Sequence, residues 1–184
     1  MSNAPRSDVP IIGVAGWKNS GKTTLVERLV AEFTARGLGV ATIKHAHHGF
    51  RVDESGADSA RHRRAGARQV AVVSAKRWAL IRELDDGAEP TLEEMIARLD
   101  PCDLIVVEGY KDACIPKIEV RRSAAGPGVA LAGNDPCIRA IAADHAIQGE
   151  RVPVFSLDDI AAIADFIAKI TGVAKVGSGV DLMR

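Results

Sequence analysis

The sequence predicts an α/β fold of three layers, with a mostly parallel sheet covered by helices on both faces. Three observations predict it. Short β-branched apolar runs alternate along the chain with amphipathic segments of helical period. The runs Val9–Ala15 and Leu104–Val107 are apolar without alternation, as in strands buried on both faces. The 184 residues, 47% of them hydrophobic, suffice for one core and are too few to expect two.

Val9–Ala15 reads as the first strand, broken by turn chemistry over Gly16–Gly21. A helix follows, because Leu25, Val26, Leu29, Val30 and Phe33 recur at helical spacing and Gly37 offers a stop. Val40–Lys44 is the next strand, expected to lie beside the first. His45–Gly56 is polar and long for a connection, which marks it as a functional loop. Asp58–Gly66 reads as a helix, and Gln69–Ser74 with Arg77–Leu84 as a hairpin. Thr91 and Glu94 form a capping-box pattern for a helix through Leu99. Leu104–Val107, Ile118–Val120, Ile138–Ala143 and Val152–Phe155 are further strands, and Leu157–Ile170 a closing helix. Residues 1–8 read as a flexible N-terminal tail, 9–171 as a single domain and 172–184 as a flexible C-terminal tail.

Composition narrows the function. The 24 basic residues balance the 24 acidic ones, which argues against a chain that grips nucleic acid or anionic lipid by charge. Aromatics at 4% offer no stacking platform for single strands. Cys102, Cys114 and Cys137 are widely spaced, with no CxxC, suit neither a disulfide framework nor a zinc knuckle, and read as reduced buried thiols. No basic leader followed by an apolar stretch opens the chain, and no apolar run approaches the ~18 residues that would span a bilayer. A cytoplasmic protein without nucleic-acid or membrane partners is expected.

Gly16-Trp17-Lys18-Asn19-Ser20-Gly21-Lys22-Thr23 satisfies G-x-x-x-x-G-K-[ST] between a strand and a helix, the context in which that pattern binds nucleoside triphosphates. Gly16, Lys18, Asn19, Ser20, Gly21, Lys22, Thr23 and Thr24 are therefore the predicted phosphate-binding residues. The glycines let successive amides turn toward phosphate oxygens, and the helix adds unpaired N–H donors and its positive dipole end. Lys22 would reach the β- and γ-phosphates and the Thr23 hydroxyl would ligate Mg²⁺. The class is that of a P-loop NTPase-like fold.

A carboxylate is needed near that metal, and Asp103 and Glu108 bracket one strand. Ligands gather at the carboxyl ends of parallel strands, and five residues put the two roughly 16 Å apart. Glu108 is assigned to the metal side, with loop capping as the plainer alternative, and Asp103 to the start of the strand. Lys22 and Glu108 are also the catalytic candidates. In the loop after the second strand, Asp53 is a further Mg²⁺ ligand. His45, His47 and His48 stand as either polar loop residues or metal ligands. Arg61, Arg63, Arg64 and Arg68 read mainly as a solvated basic face. No N-K-x-D guanine signature is present; Asp144, after Ile138–Ala143, is the candidate for base recognition, with a turn or cap role beside it.

Three segments together, GWKNSGKTT, IKHAHHGFRVDESGADSARHRRAGA and DLIVVEGYKDACIPKIEVRR, resemble the molybdopterin-guanine dinucleotide biosynthesis adapter family over roughly residues 10–170. The resemblance implies a P-loop fold binding GTP with Mg²⁺, feeble GTP hydrolysis, a homodimer, and association with the guanylyltransferase that joins GMP to molybdopterin, with molybdopterin itself as a further partner. Carried onto matching positions, it gives the phosphate loop as Gly16–Thr24, the metal-side carboxylates as Asp53 and Glu108, and Lys44–His48 as the rim of the nucleotide pocket. Related ATPases that dimerise over nucleotide place a lysine directly after the first glycine; here Trp17 stands there and Lys18 follows, which argues against a lysine acting across a dimer. Two other readings compete: an ATP-dependent kinase or ligase of the dethiobiotin-synthetase type, and a GTPase delivering a metal through the His45–His48 cluster.

Overall fold

The structure is a computed structural model and describes residues 9–46, 57–84, 89–125 and 129–173. The chain divides into two compact units, one of Met1–His45 with Leu92–Arg184 and the other of Ala46–Thr91. The expected tail 1–8 and most of the expected C-terminal tail lie outside the described residues. Gly172 and Val173 belong to the larger unit, where Gly172 ends the last helix and Val173 is buried.

In the larger unit the elements are β1 (Ile11–Ala15), α1 (Lys22–Ala35), β2 (Val40–Lys44), α3 (Leu92–Ile96), β5 (Leu104–Glu108), β6 (Lys117–Arg121), β7 (Ile138–Ala143), β8 (Val154–Ser156) and α4 (Ile160–Thr171), with a short 3₁₀ turn at Ser123–Ala125. The six strands form one sheet in the order β2-β5-β1-β6-β7-β8, every pair parallel. The expectation that β2 lies beside β1 is corrected: β5 separates them, pairing Val14 with Glu108 on one side and Lys44 with Glu108 on the other. A helical crossover fixes that two strands are parallel and leaves open which strand later fills the space between them.

Alternation along the strands feeds two cores. Ile12, Val14, Leu104, Val106, Ile118 and Val120 point to one face, where Leu25, Leu29 and Phe33 of α1 and Ile163 and Ile167 of α4 cover them. On the other face Ile43, Ile105 and Val107 pack with Leu92, and Met95, Ile96, Tyr110 and Ile115 close over them. α1 ends in a Schellman arrangement: Gly37 N–H reaches Thr34 O at 2.9 Å and Leu38 N–H reaches Phe33 O at 3.1 Å, and the Leu38 and Phe33 side chains join the same core. α3 stops short of Leu99 because its end tightens into i→i+3 bonds, Arg98 to Met95 and Leu99 to Ile96, ahead of Pro101.

β6 departs from the apolar pattern. Its second face carries Lys117 and Glu119, each 1% exposed. Glu119 accepts the Leu131 and Ala132 N–H groups at 3.0 and 2.9 Å and pairs with Arg121 at 2.8 Å. Lys117 Nζ donates to Asp135 at 2.8 Å and to Lys111 O at 2.6 Å. Each buried charge thus has its partners.

The smaller unit holds α2 (Asp58–Arg64) and the antiparallel pair β3 (Gln69–Val73) and β4 (Trp78–Arg82), as the hairpin pattern predicts. Val70 and Ala60 are buried, whereas Val73 and Trp78, directly opposite one another, are 74% and 69% exposed. Among the described residues no helix is long and apolar enough to cross a membrane.

Candidate functional site

The glycine loop joins β1, the strand between β5 and β6, to the start of α1. Gly16 has φ 151°, and a Cβ there would sit 2.6 Å from Ser20 Oγ and 2.7 Å from Val120 O, so only glycine lets the loop fold onto β6. Asn19 adopts a left-handed φ of 63° at the tip. Gly21 is the N-cap of α1, which has no side-chain cap bond and no acidic residue in its first turn. Its first N–H groups and dipole are left uncompensated, as an anion site requires.

Lys22 Nζ donates to Trp17 O at 2.7 Å across the loop. Burial holds its ammonium below the usual lysine value; Glu108 opposes that shift and Lys111 and Lys44 reinforce it. Thr23 Oγ1 donates to Glu108 Oε1 at 2.9 Å, while Lys44 Nζ lies 3.1 Å from Glu108 and donates to Thr23 Oγ1 at 3.3 Å. Asn19, Gly21, Lys22, Thr23, Thr24 and Glu108 line one cleft of about 330 Å³. Asp103, at the opposite end of β5, accepts the Gly39 N–H at 2.7 Å and takes no part in it. Lys18 is exposed on the loop and Ser20 is buried.

A second cavity of about 300 Å³ adjoins the loop from the ends of β6 and β7, lined by Trp17, Ser20, Arg122, Ser123 and His145 among others. Ser20 Oγ is buried there without a hydrogen-bond partner. Asp144 accepts the Ser123 N–H at 2.8 Å and His145 Nδ1 lies 2.8 Å away, an arrangement that holds its carboxyl below the usual range, His145 first and Ser123 second. Its carboxylate thus ties the ends of β6 and β7 together. Asp53, His47 and His48 lie outside the described residues. His45 packs its ring on Tyr110 at 4.5 Å. Among the described residues no three His, Cys, Asp or Glu side chains gather as a metal site.

Sequence reasoning missed Arg122 and the two clamps on Trp17. The Arg122 guanidinium lies against Gly21, 3.1 Å from where a Cβ would stand. Trp17 Nε1 donates to Val129 O at 2.8 Å, and Lys111 Nζ sits 4.3 Å over its ring. The Arg121-Arg122 pair after a strand was the available signal for the first; nothing local signals the second.

The donor set fits magnesium and a polyphosphate: uncapped amides and an ammonium face anionic oxygens, and a hydroxyl beside a carboxylate offers hard oxygen ligands. Fold and loop together define a P-loop NTPase-like protein. The chain belongs to the family of molybdopterin guanine dinucleotide synthesis protein B, which matches residues 11–144. It is 37% identical over 168 residues to the molybdopterin-guanine dinucleotide biosynthesis adapter protein of Escherichia coli (strain K12), covering 90% of this chain and 95% of that protein. The corresponding Haemophilus influenzae protein is 36% identical over 163 residues, covering 88% and 89%. The crystal structure of a MobB protein homolog from Bacillus stearothermophilus aligns at TM-score 0.65 and 28% identity over 90% of this chain and 100% of that one. Bacillus subtilis MobB aligns at 0.66 and 28%, over 87% and 96%.

Proposed function

We propose that this protein is an adapter in molybdopterin-guanine dinucleotide biosynthesis that binds Mg²⁺·GTP at the glycine loop, hydrolyses it slowly, and assists the guanylyltransferase that attaches GMP to molybdopterin. The observation that carries the nucleotide reading is the Thr23–Glu108 hydrogen bond of 2.9 Å at the mouth of an uncapped helix, beside Lys22. Family membership supports the adapter role.

On this reading the loop amides and Lys22 hold the β- and γ-phosphates, and Thr23 with Glu108 receives the ion, directly or through its water. When bound, Mg²⁺ neutralises phosphate charge. Lys44, which pairs with Glu108 at 3.1 Å, would face the phosphates were that carboxylate engaged by the ion. The cavity beside Arg122 and His145 takes the nucleoside end. Slow turnover is the reading because no glutamine directly follows β5: the chain's two glutamines are Gln69, on the hairpin, and Gln148, between β7 and β8.

The homodimer is read onto the hairpin, whose face of Ala71, Val73, Trp78 and Leu80 is apolar and exposed, a surface that a soluble chain covers. Calorimetric titration with GTP and ATP in Mg²⁺ tests the nucleotide reading. GTP binding at least about tenfold tighter is expected, and a preference for ATP would favour the kinase or ligase alternative. Co-elution with the guanylyltransferase tests the adapter reading.

A further inference from the structure

Cys114 and Cys137 approach each other outside the residues that line the nucleotide cleft. Their sulfurs are 3.2 Å apart, within hydrogen-bonding distance, and roughly 1 Å of approach separates them from a disulfide bond of about 2.05 Å. The expectation of buried thiols is corrected: Cys114, on a loop, is exposed and Cys137 half-buried, so an external reagent meets Cys114 first.

Each sulfur sits on one of the two segments that hold Trp17. Cys114 is three residues after Lys111, whose ammonium covers the Trp17 ring. Cys137 ends the segment that begins at Val129, whose carbonyl accepts Trp17 Nε1. Lys117 already bridges these segments, donating to Lys111 O and to Asp135, and Asp135 in turn accepts the Cys137 N–H at 2.8 Å. A bond between the sulfurs would be a second bridge across the same gap, made or broken by redox state.

We propose that Cys114 and Cys137 are a reversible dithiol–disulfide pair, oxidised by a low-molecular-weight disulfide such as glutathione disulfide, that fastens together the two segments clamping Trp17 of the phosphate loop. The Cys114 thiolate attacks one glutathione sulfur, the glutathione S–S bond breaks, and one glutathione thiolate leaves and takes up a proton. The Cys137 thiolate then attacks the Cys114 sulfur of the mixed disulfide, the protein S–S bond forms, and the second glutathione leaves and is protonated. The protein loses two electrons and two protons, and glutathione disulfide gains both. Cys137 is the less exposed of the two thiols, which places its attack second.

The test is exchange of the reduced full-length protein with glutathione disulfide, followed by alkylation, non-reducing digestion and mass spectrometry. The expected product is a Cys114–Cys137 linked peptide pair, with Cys102 alkylated and the link reversed by dithiothreitol. Cys137→Ser should trap glutathione on Cys114, and in Cys114→Ser the remaining Cys137 should react several-fold more slowly. Persistent alkylation of both thiols, or a link through Cys102 or to a second chain, would overturn the pair; equal reactivity of Cys114 in Cys137→Ser and of Cys137 in Cys114→Ser would overturn the order of attack. In a Trp78→Phe background, where Trp17 is the one tryptophan, oxidation should shift the emission excited selectively at tryptophan and Cys114→Ser should abolish the shift. Unchanged emission in the fully oxidised protein would overturn the link to Trp17.

Discussion

Thr23 Oγ1 and Glu108 Oε1 meet at 2.9 Å although 85 residues separate them. The contact exists because α1 begins where β1 ends and β5 lies next to β1, in the register that pairs Val14 with Glu108. A helix terminus and a strand terminus are thereby brought to one point, with a hydroxyl from one and a carboxylate from the other.

Glu108→Gln keeps the shape of that contact and removes its charge. Magnesium should then strengthen nucleotide binding about tenfold less than in the parent protein, while binding in EDTA is unchanged or slightly tighter because a carboxylate no longer faces phosphate. Calorimetry with and without Mg²⁺ reads both. Equal losses in the two conditions would remove Glu108 from the metal.

Lys22→Met separates ligand binding from stability. Loss of a charge-assisted bond of roughly 1.5–3 kcal/mol predicts a fall in GTP affinity of about 10- to 100-fold. Without nucleotide the sign reverses. Burial depresses the folded-state pKa below 10.5, so the folded form binds protons less readily than the unfolded one; stability is lowest below both values and rises with pH through the window between them. The nucleotide-free variant should therefore melt higher than the parent at pH 7, by scanning calorimetry.

Glu119→Gln should destabilise the fold. Burial raises the carboxyl pKa, but Arg121 and the Leu131 and Ala132 N–H groups outweigh it and leave it lowered. Breaking a buried pair costs about 3–5 kcal/mol. Because the folded pKa is depressed, this stabilisation is present above the unfolded pKa of about 4.3 and is lost as pH falls through the folded one. Urea midpoints of parent and variant should differ at pH 7 and converge on acidification.

Trp78→Glu places a charge in the exposed apolar face of the hairpin. The dimer dissociation constant should rise at least about tenfold with the circular dichroism spectrum retained, as read by light scattering and ultracentrifugation. A parent protein that is monomeric at micromolar concentration would refute the dimer reading outright.

The strand, glycine loop and helix were legible because glycine spacing, an apolar run before it and an amphipathic pattern after it all act within one stretch of chain. The Asp103–Glu108 contrast was legible because strand geometry separates the ends of a run. β6 was harder to read. Lys117-Ile118-Glu119-Val120-Arg121 alternates as a strand with one wet face does, yet Lys117 and Glu119 are buried, because Asp135, Lys111 and the Leu131–Ala132 backbone reach them from the flanking loops, outside the strand's own pattern. Arg122 against Gly21 and the Val129 bond to Trp17 were hidden by distance: tertiary contacts across about a hundred residues leave no local periodicity to find.

The strand order carries a consequence for how the molecule comes into being. β1 pairs only with β5 and β6, so a nascent chain that has emerged through Lys44 holds the whole glycine signature and no partner strand for it. Assembly waits for Leu104–Glu108, and the Val120 carbonyl against which Gly16 folds arrives later still. Because its partner strands lie at Leu104–Glu108 and Lys117–Arg121, the β1 edge stays unpaired until both have been made, and closing pairings over such separations carries a loop-entropy cost.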